Sequence, residues 1–188
     1  MRKNFGAQPI LYPQPVFMLG TYNDDGSVDA MAAAWGGVAD EDKIFMCISA
    51  EHRTTRNILA RKAFTVSMAT VDKLVECDYL VIVSGDKEPD KFNIAGLHAA
   101  KSEFVDAPVI EELPMGLECE LISYDPESCA LFGRIVNVYA DESVLNADGK
   151  IDPMKIRPIT YDGVDFNYYV LGEKVGKAFH DGGKLLKK

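Results

Sequence analysis

The sequence predicts a mainly β fold, a β-barrel decorated by helices, in a single domain spanning residues 1–188. Segments typical of strands outnumber those typical of helices, and most predicted strands follow one another locally, which favours a barrel over a parallel α/β sheet. The chain has 188 residues, of which 47% are hydrophobic and 26% charged, with no internal repeat or low-complexity linker. A chain of this length buries roughly 70% of the surface that its unfolded form exposes.

The first predicted element is a hairpin. Residues 15–22 are rich in apolar and β-favouring side chains, and residues 23–26 (Asn-Asp-Asp-Gly) supply turn chemistry, with Gly26 able to adopt a positive φ. The return strand, residues 27–35, is unusual for its small side chains. Small residues on a strand let another group approach the backbone closely, although ordinary packing of a helix or sheet is the alternative explanation.

The next elements alternate between strands and short helices. Residues 43–49 form a predicted buried strand, and residues 54–62 a helix with Ile58 and Leu59 inward and Thr54 or Thr55 as its N-cap. A helix over residues 71–79 is expected to bury one face with periodic apolar side chains, and this face consists of Val71, Leu74 and Val75. The remaining predictions are a strand at 64–68, a short helix within 89–97, strands near 117–124 and 129–139, and a turn at 146–150.

Charge and motifs exclude several classes of function. With 20 Lys and Arg against 29 Asp and Glu, the formal charge is −9, so a nucleic-acid binder that neutralises phosphates is disfavoured. No window is long and apolar enough for a membrane span, and no secretion signal is visible. The three histidines are isolated, and no Gly-x-Ser-x-Gly or Gly-x-Gly-x-x-Gly motif occurs. No metal site is predicted, and an enzyme without such constellations usually takes its chemistry from a cofactor.

The four cysteines, Cys47, Cys77, Cys119 and Cys129, are widely and unequally spaced. Without a Cys-x-x-Cys pair, their spacing indicates neither a zinc site nor a redox dithiol. Cys47 and Cys119 lie in strand-like segments, where free cysteine is usually a small core residue. This cysteine usage favours a reducing, cytoplasmic location.

The best candidate site is an anion-binding segment, Ser49-Ala-Glu-His-Arg-Thr-Thr-Arg-Asn57, which runs from a strand end into a helix N-terminus. The free amides and dipole of the helix favour a phosphate, and hydroxyls in the segment can donate to it. Arg53 can bind two phosphate oxygens at once. The alternative is an ordinary capped helix with surface arginines, in which His52 is a polar loop residue.

Several segments together resemble the flavin reductase-like, flavoredoxin-type family. They extend in order over nearly the whole chain: residues 20–27, 29–37 and 49–57, then Ser84-Gly85, Asp90-Lys-Phe92, Gly96-Leu97, residues 148–153 and residues 171–179. The resemblance implies an FMN-binding split β-barrel, Greek-key-like with short peripheral helices. It also implies a homodimer with flavin sites near the subunit interface.

The resemblance assigns roles by position. The strand from Asp29 to Trp35 would pass beside the isoalloxazine ring, residues 49–55 would hold the ribityl phosphate, and Lys91 would add positive charge. Family members often carry Asn where Asp29 stands, and Phe166 is a weaker candidate to cover the ring, with Tyr168 beside it. The expected cofactor-binding residues are Asp29, Met31, Ala32, Ala33, Ala34, Trp35, Ser49, Ala50, His52, Arg53, Thr54, Thr55, Lys91 and Phe166.

The activity implied by the resemblance is transfer of a hydride or electrons through FMN, from NADH, NADPH or a redox protein partner to an acceptor. Because such transfer depends on proximity and orientation, no catalytic side chain is named. The alternatives are an electron carrier without NAD(P)H activity and a noncatalytic flavin-binding module. The basic end of the chain, with Lys184, Lys187 and Lys188, is most simply a solvated tail.

Overall fold

The computed structural model describes residues 1–186, and Lys187 and Lys188 of the basic tail lie outside the described residues. Strands predominate. They are β1 (Phe17–Tyr22), β2 (Val28–Ala33), β3 (Gly36–Asp40), β4 (Lys43–Cys47), β5 (Ala63–Met68), β6 (Ala99–Lys101), β7 (Pro108–Ile110), β8 (Met115–Asp125), β9 (Ala130–Ala140), β10 (Ile159–Asp162) and β11 (Asn167–Val170). The α-helices are α1 (Arg53–Arg61), α2 (Leu74–Ile82), α3 (Lys91–Ile94) and α4 (Pro153–Ile156).

Seven strands form one antiparallel sheet in the order β2-β1-β5-β8-β9-β4-β3. The sheet curls into a half-barrel, because residues near its two ends come into contact. A Cβ built on Gly36 of β3 would lie 3.0 Å from Cε2 of Phe17 on β1. Gly36 itself belongs to the β3–β4 pair, which the hydrogen bond from the Cys47 amide to the Trp35 carbonyl extends, at 2.7 Å. The predicted β-barrel with short helices is therefore confirmed as a split barrel.

Two apolar clusters stabilise this arrangement. One fills the concave side of the sheet and includes Leu19, Met46, Ile58, Phe64 and Leu131, all of which are fully buried. The other lies between the β1–β2 hairpin and the helices α2 and α3. Burial of an aliphatic or aromatic side chain contributes roughly 1.5–3 kcal/mol, so each cluster fixes the elements around it.

The first hairpin forms as predicted. The Asn23 amide donates to the Ser27 carbonyl at 2.8 Å, and Gly26 adopts a φ of +83°. β1 and β2 then pair antiparallel, from Tyr22 opposite Val28 to Phe17 opposite Ala33. The turn therefore sets the register of the strand that carries the small side chains.

The structure corrects several local predictions. Helix α1 begins at Arg53 with His52 as its N-cap residue, so Thr54 and Thr55 lie inside the first turn and cap nothing. Leu59 is only half-buried. Val75 is 75% exposed, because α2 buries Cys77 and Leu80 instead. Strands β3, β6, β7, β10 and β11 were not predicted, since each has only three to five residues and a run that short carries little periodicity.

Candidate functional site

A cavity of about 320 Å³ opens where the small-residue strand meets the loop before α1. This volume is at the lower end of those typical of small-molecule sites. Its wall brings together seven predicted site residues from two separate segments. They are Met31, Ala32, Ala33, Ala34, Trp35, Ser49 and His52.

The strand wall of the cavity is flat because its side chains are small. Ala32, Ala33 and Ala34 present single methyl groups, and the half-exposed indole of Trp35 follows them. A second, smaller cavity of about 140 Å³ is also lined by the three alanines, together with Tyr161 and Tyr168. A planar group can therefore lie against the backbone here without meeting a bulky side chain.

The loop wall of the cavity leads into the N-terminus of the nine-residue helix α1. The first amides of a helix have no partner within it and carry partial positive charge. The Thr55 hydroxyl in this first turn is buried, and it has no hydrogen-bond partner among the described residues. An unpaired buried hydroxyl next to free amides is suited to an anionic oxygen.

Asp29 and Lys91 form a buried ion pair behind the helix N-terminus. The two residues are 2% and 3% exposed, and Lys91 Nζ lies 3.7 Å from Asp29 Oδ1. The Thr54 hydroxyl donates to Asp29 Oδ2 at 2.5 Å, and Lys91 Nζ also donates to the Val83 carbonyl at 3.2 Å. Desolvation lowers the pKa of the Lys91 ammonium, an effect that the Asp29 charge opposes. Lys91 is thus committed to an internal partner and does not line the cavity.

Arg53 lies at the start of α1, but its guanidinium points to a neighbouring polar cleft. Its Nε donates to Asp86 Oδ1 at 3.1 Å, and the Arg56 guanidinium binds the same oxygen at 2.5 Å. These hydrogen bonds, first from Arg56 and then from Arg53, lower the pKa of the Asp86 carboxyl. Two arginines therefore share one carboxylate, and Asp24 and Asp25 line the same cleft.

Two further predicted site residues, Ala50 and Phe166, also lie away from the cavity. Ala50 is exposed in the turn that precedes α1. Phe166 lies in the turn between β10 and β11, where it is 74% exposed with a φ of +57°. Tyr168 belongs to the smaller cavity, and its hydroxyl donates to Asp78 at 2.8 Å. Within this chain, Phe166 does not meet the other predicted residues.

The structure adds wall residues that the sequence did not indicate. Cys47, Ile48 and Cys129 complete the lining of the main cavity. Cys47 is therefore not a core residue as predicted, since its side chain is only half-buried, whereas Cys119 is fully buried in the core. These residues meet because β4 pairs with β9, and local sequence patterns do not indicate which strands pair.

The site offers binding surfaces rather than acid–base machinery. Among residues 1–186, no group of three or more His, Cys, Asp and Glu side chains is placed to hold a metal ion. Nor does any described helix combine the length and hydropathy needed to cross a membrane. The arrangement can bind a flat apolar group along the strand and an anion at the helix N-terminus.

Comparison with known proteins finds a matching family model and similar solved structures. The family model for the flavin reductase like domain matches residues 10–163, most of the chain. The structure is similar to that of flavoredoxin of Desulfovibrio vulgaris (Miyazaki F), with 38% sequence identity and a TM-score of 0.92. That match covers 97% of this chain and 100% of the other.

Two more distant structures share the fold. Flavoredoxin from Methanosarcina acetivorans is 24% identical, with a TM-score of 0.88, over 99% of this chain and 100% of the other. An FMN-binding domain of flavin reductases-like enzyme from Shewanella baltica is 21% identical, with a TM-score of 0.77, over 87% and 89% of the two chains. At these identities the likeness concerns the fold.

Proposed function

The chain belongs to the flavin reductase-like domain family, and from this premise we propose that it is an FMN-binding flavoprotein oxidoreductase. When bound, FMN would supply the transfer of a hydride or electrons between NADH, NADPH or a protein donor and an acceptor. The observation that carries the proposal is the continuity of the cavity. One wall is a strand of small residues, and the other leads to the free amides of α1.

The residues present fit FMN at both ends. The isoalloxazine ring would lie along Met31–Trp35, where backbone groups can hydrogen-bond its polar edge. The phosphate would lie at residues 49–55, where the buried Thr55 hydroxyl lacks a partner among the described residues. FMN supplies the redox chemistry itself, and the protein supplies orientation and electrostatics.

The side chains act in different ways in this proposal. Ser49 and the amides of Arg53, Thr54 and Thr55 bind the phosphate directly. Asp29 and Lys91 lie behind the helix and position its first turn through the Thr54 hydroxyl. No side chain is needed as a general acid or base, since hydride transfer depends on distance and alignment.

A second candidate function is that of an electron carrier that binds FMN but reacts slowly with NADH and NADPH. The 38% identity to a flavoredoxin favours this candidate. Stopped-flow reduction separates the two functions. Fast, saturable reduction by NADH or NADPH supports a reductase, whereas reduction by a protein donor alone supports a carrier. Tight FMN binding without turnover by any donor and acceptor pair would instead indicate a binding module.

The experiment that tests FMN binding is a titration of the purified apoprotein, followed by flavin absorbance and fluorescence. We expect saturable uptake of one FMN per chain, with weaker binding of riboflavin because it lacks the phosphate. Anaerobic addition of NADH or NADPH should then bleach the flavin band. A protein that shows no flavin absorbance and takes up no FMN would refute the proposal.

We also propose a cytoplasmic homodimer. Free thiols are typical of reducing compartments, and Cys47, Cys77, Cys119 and Cys129 are all free. The dimer would bring two flavin sites near one interface, and a redox protein could dock there as donor or acceptor. The acidic net charge makes nucleic acid an unsuitable partner.

A further inference from the structure

Two cysteines far apart in the sequence share one wall of the main cavity. Cys47 is the last residue of β4, and Cys129 immediately precedes β9. Both are free, both are half-buried and both line the cavity. Their spacing in the sequence gives no hint of a dithiol, so it is the pairing of β4 with β9 that brings them together.

The register makes the two cysteines diagonal neighbours. Cys47 pairs with Ala130, and the Ile48 amide donates to the Cys129 carbonyl at 2.9 Å. In a regular antiparallel pair, strand spacing and rise put the Cα atoms of such diagonal neighbours about 6 Å apart, within the range that a disulfide spans. The Cys47 Sγ lies 3.7 Å from the carbonyl oxygen of Ser128, the residue bonded to Cys129.

The backbone at Cys129 departs from a regular strand. Its φ is +59°, in the left-handed region that residues other than glycine rarely occupy. In a regular strand pair, diagonal neighbours one residue apart point to opposite faces. The left-handed conformation breaks this alternation, so both cysteines contribute to the same cavity wall. Backbone strain of this kind is concentrated at functional sites.

The other two cysteines have a different environment. Cys77 and Cys119 are fully buried in the apolar clusters, and burial raises the pKa of each thiol to about 12. Because the thiolate is the reactive form, these two thiols are inert at neutral pH. The chain therefore contains an accessible pair and an inaccessible pair of cysteines, and the second pair is an internal control.

We propose that Cys47 and Cys129 are a redox-active pair that forms a reversible disulfide in the cavity wall. The oxidant is a small disulfide of the glutathione class. One cysteine thiolate attacks a sulfur of the oxidant, breaks its S–S bond and releases one small thiol. The other cysteine then attacks the mixed disulfide and releases the second thiol. Two protein thiols lose two electrons and two protons, and one small disulfide becomes two thiols.

Disulfide mapping tests the proposal on the apoprotein. After incubation with oxidised glutathione, the intact protein should lose the mass of two hydrogen atoms. Proteolysis should then yield one linked peptide pair, containing Cys47 and Cys129. Iodoacetamide should label both residues before oxidation and neither afterwards, while Cys77 and Cys119 stay unlabelled in the folded protein throughout. Excess dithiol should restore the labelling.

Single variants supply the controls. Cys47→Ser and Cys129→Ser should each stop at a mixed disulfide with one glutathione, because the resolving thiol is missing. The proposal is overturned if the wild-type protein forms no internal disulfide, or if Cys77 or Cys119 is in the linked pair. An equal labelling rate for all four thiols would also overturn it.

A last measurement relates the pair to the proposed function, which the redox pair itself does not require. Saturating FMN should slow disulfide formation several-fold, because the ligand would cover the wall that carries both thiols. An unchanged rate with FMN bound, as judged from the flavin spectrum, would refute the shared cavity. Disulfide formation in a protein that takes up no FMN would refute FMN binding and leave the redox pair standing.

Discussion

Arg53 has one charged partner in the structure and would gain a second in the proposed complex. Its guanidinium is bound to Asp86, and the FMN phosphate would lie at the same end of α1. A hydrogen bond to a charged group contributes roughly 1.5–3 kcal/mol, and competition from Asp86 favours the lower end. We therefore expect Arg53→Ala to weaken FMN binding about tenfold.

This change should not alter riboflavin binding, since riboflavin has no phosphate. Both affinities are measurable by quenching of flavin fluorescence. Arg134→Ala is a matched control, because Arg134 pairs with Asp42 on an exposed part of the sheet and should leave both affinities unchanged. Asp86→Asn should have the opposite effect to Arg53→Ala, because it frees two guanidinium groups. Equal FMN affinity in Arg53→Ala and wild type would contradict the phosphate assignment.

The buried Asp29–Lys91 ion pair contributes to the stability of the fold. Replacing one partner of a buried ion pair leaves the other charge uncompensated, which typically lowers stability by about 3–5 kcal/mol. Asp29→Asn keeps an acceptor for the Thr54 hydroxyl, so we expect a loss near 3 kcal/mol in urea unfolding. Adding Lys91→Met should recover part of this loss. Equal stability of Asp29→Asn and wild type would contradict the pairing.

The same pair predicts a pH dependence. Desolvation lowers the pKa of Lys91 below 10.5, so the folded state binds this proton less tightly than the unfolded state does. Stability therefore rises with pH between the folded and unfolded pKa values of Lys91. Removing the Asp29 charge lowers the folded pKa further. The loss of stability in Asp29→Asn relative to wild type should be largest near neutral pH and should shrink as the pH approaches 10.5. Urea unfolding at several pH values would measure it.

At the scale of elements, the curl of the sheet depends on close contacts at glycines. Gly133 lies on β9 and faces the ring of Phe64 on β5, across the concave side. A Cβ at this position would overlap the ring, which is fully buried and has no room to move. Because overpacking of a core typically lowers stability by about 1–3 kcal/mol, we expect a loss of that size in Gly133→Ala.

Urea unfolding measures this loss, and Gly37 supplies the matched control. A Cβ on Gly37, also in a strand of the same sheet, would have no neighbour within 4 Å. Gly37→Ala should be neutral or slightly stabilising, because alanine reduces the freedom of the unfolded chain. Equal stability of the two alanine variants would show that the Phe64 contact does not limit the curl.

At the scale of the molecule, several large apolar side chains remain exposed in the described chain. Trp35 immediately precedes edge strand β3, and Val38 lies on it. Val175, Phe179 and Leu185 are exposed in the C-terminal segment. Large exposed apolar patches mark interaction surfaces, and the edge of a sheet adds unpaired backbone groups. The exposed side chains of Trp35 and Val38 at this edge therefore support the proposed homodimer.

Sedimentation equilibrium tests the dimer directly. We expect a mass of twice 20.7 kDa at micromolar concentration. Val38→Glu should shift the equilibrium towards the monomer, because it places a charge in the apolar surface, while Val75→Glu on the exposed face of α2 is the matched control. A monomer that binds FMN fully at the same concentration would contradict the proposal.

Local sequence patterns determined much of this protein. The hairpin around Gly26, helix α1 and the strands around Phe64 and Leu117 follow from periodicity and turn chemistry, which act between neighbours in the chain. The ordered set of motifs also indicated the flavin reductase-like family and the two segments that meet in the cavity. These features could be predicted because each depends on a few adjacent residues.

Other features were decided only by the tertiary structure. The burial of Lys91 against Asp29, the sharing of Asp86 by Arg53 and Arg56, and the meeting of Cys47 with Cys129 all join distant parts of the chain. Their partners are selected by the curl and strand order of the sheet, which arise from the packing of the whole core. A sequence pattern records which side chains are available, but long-range packing determines which of them meet.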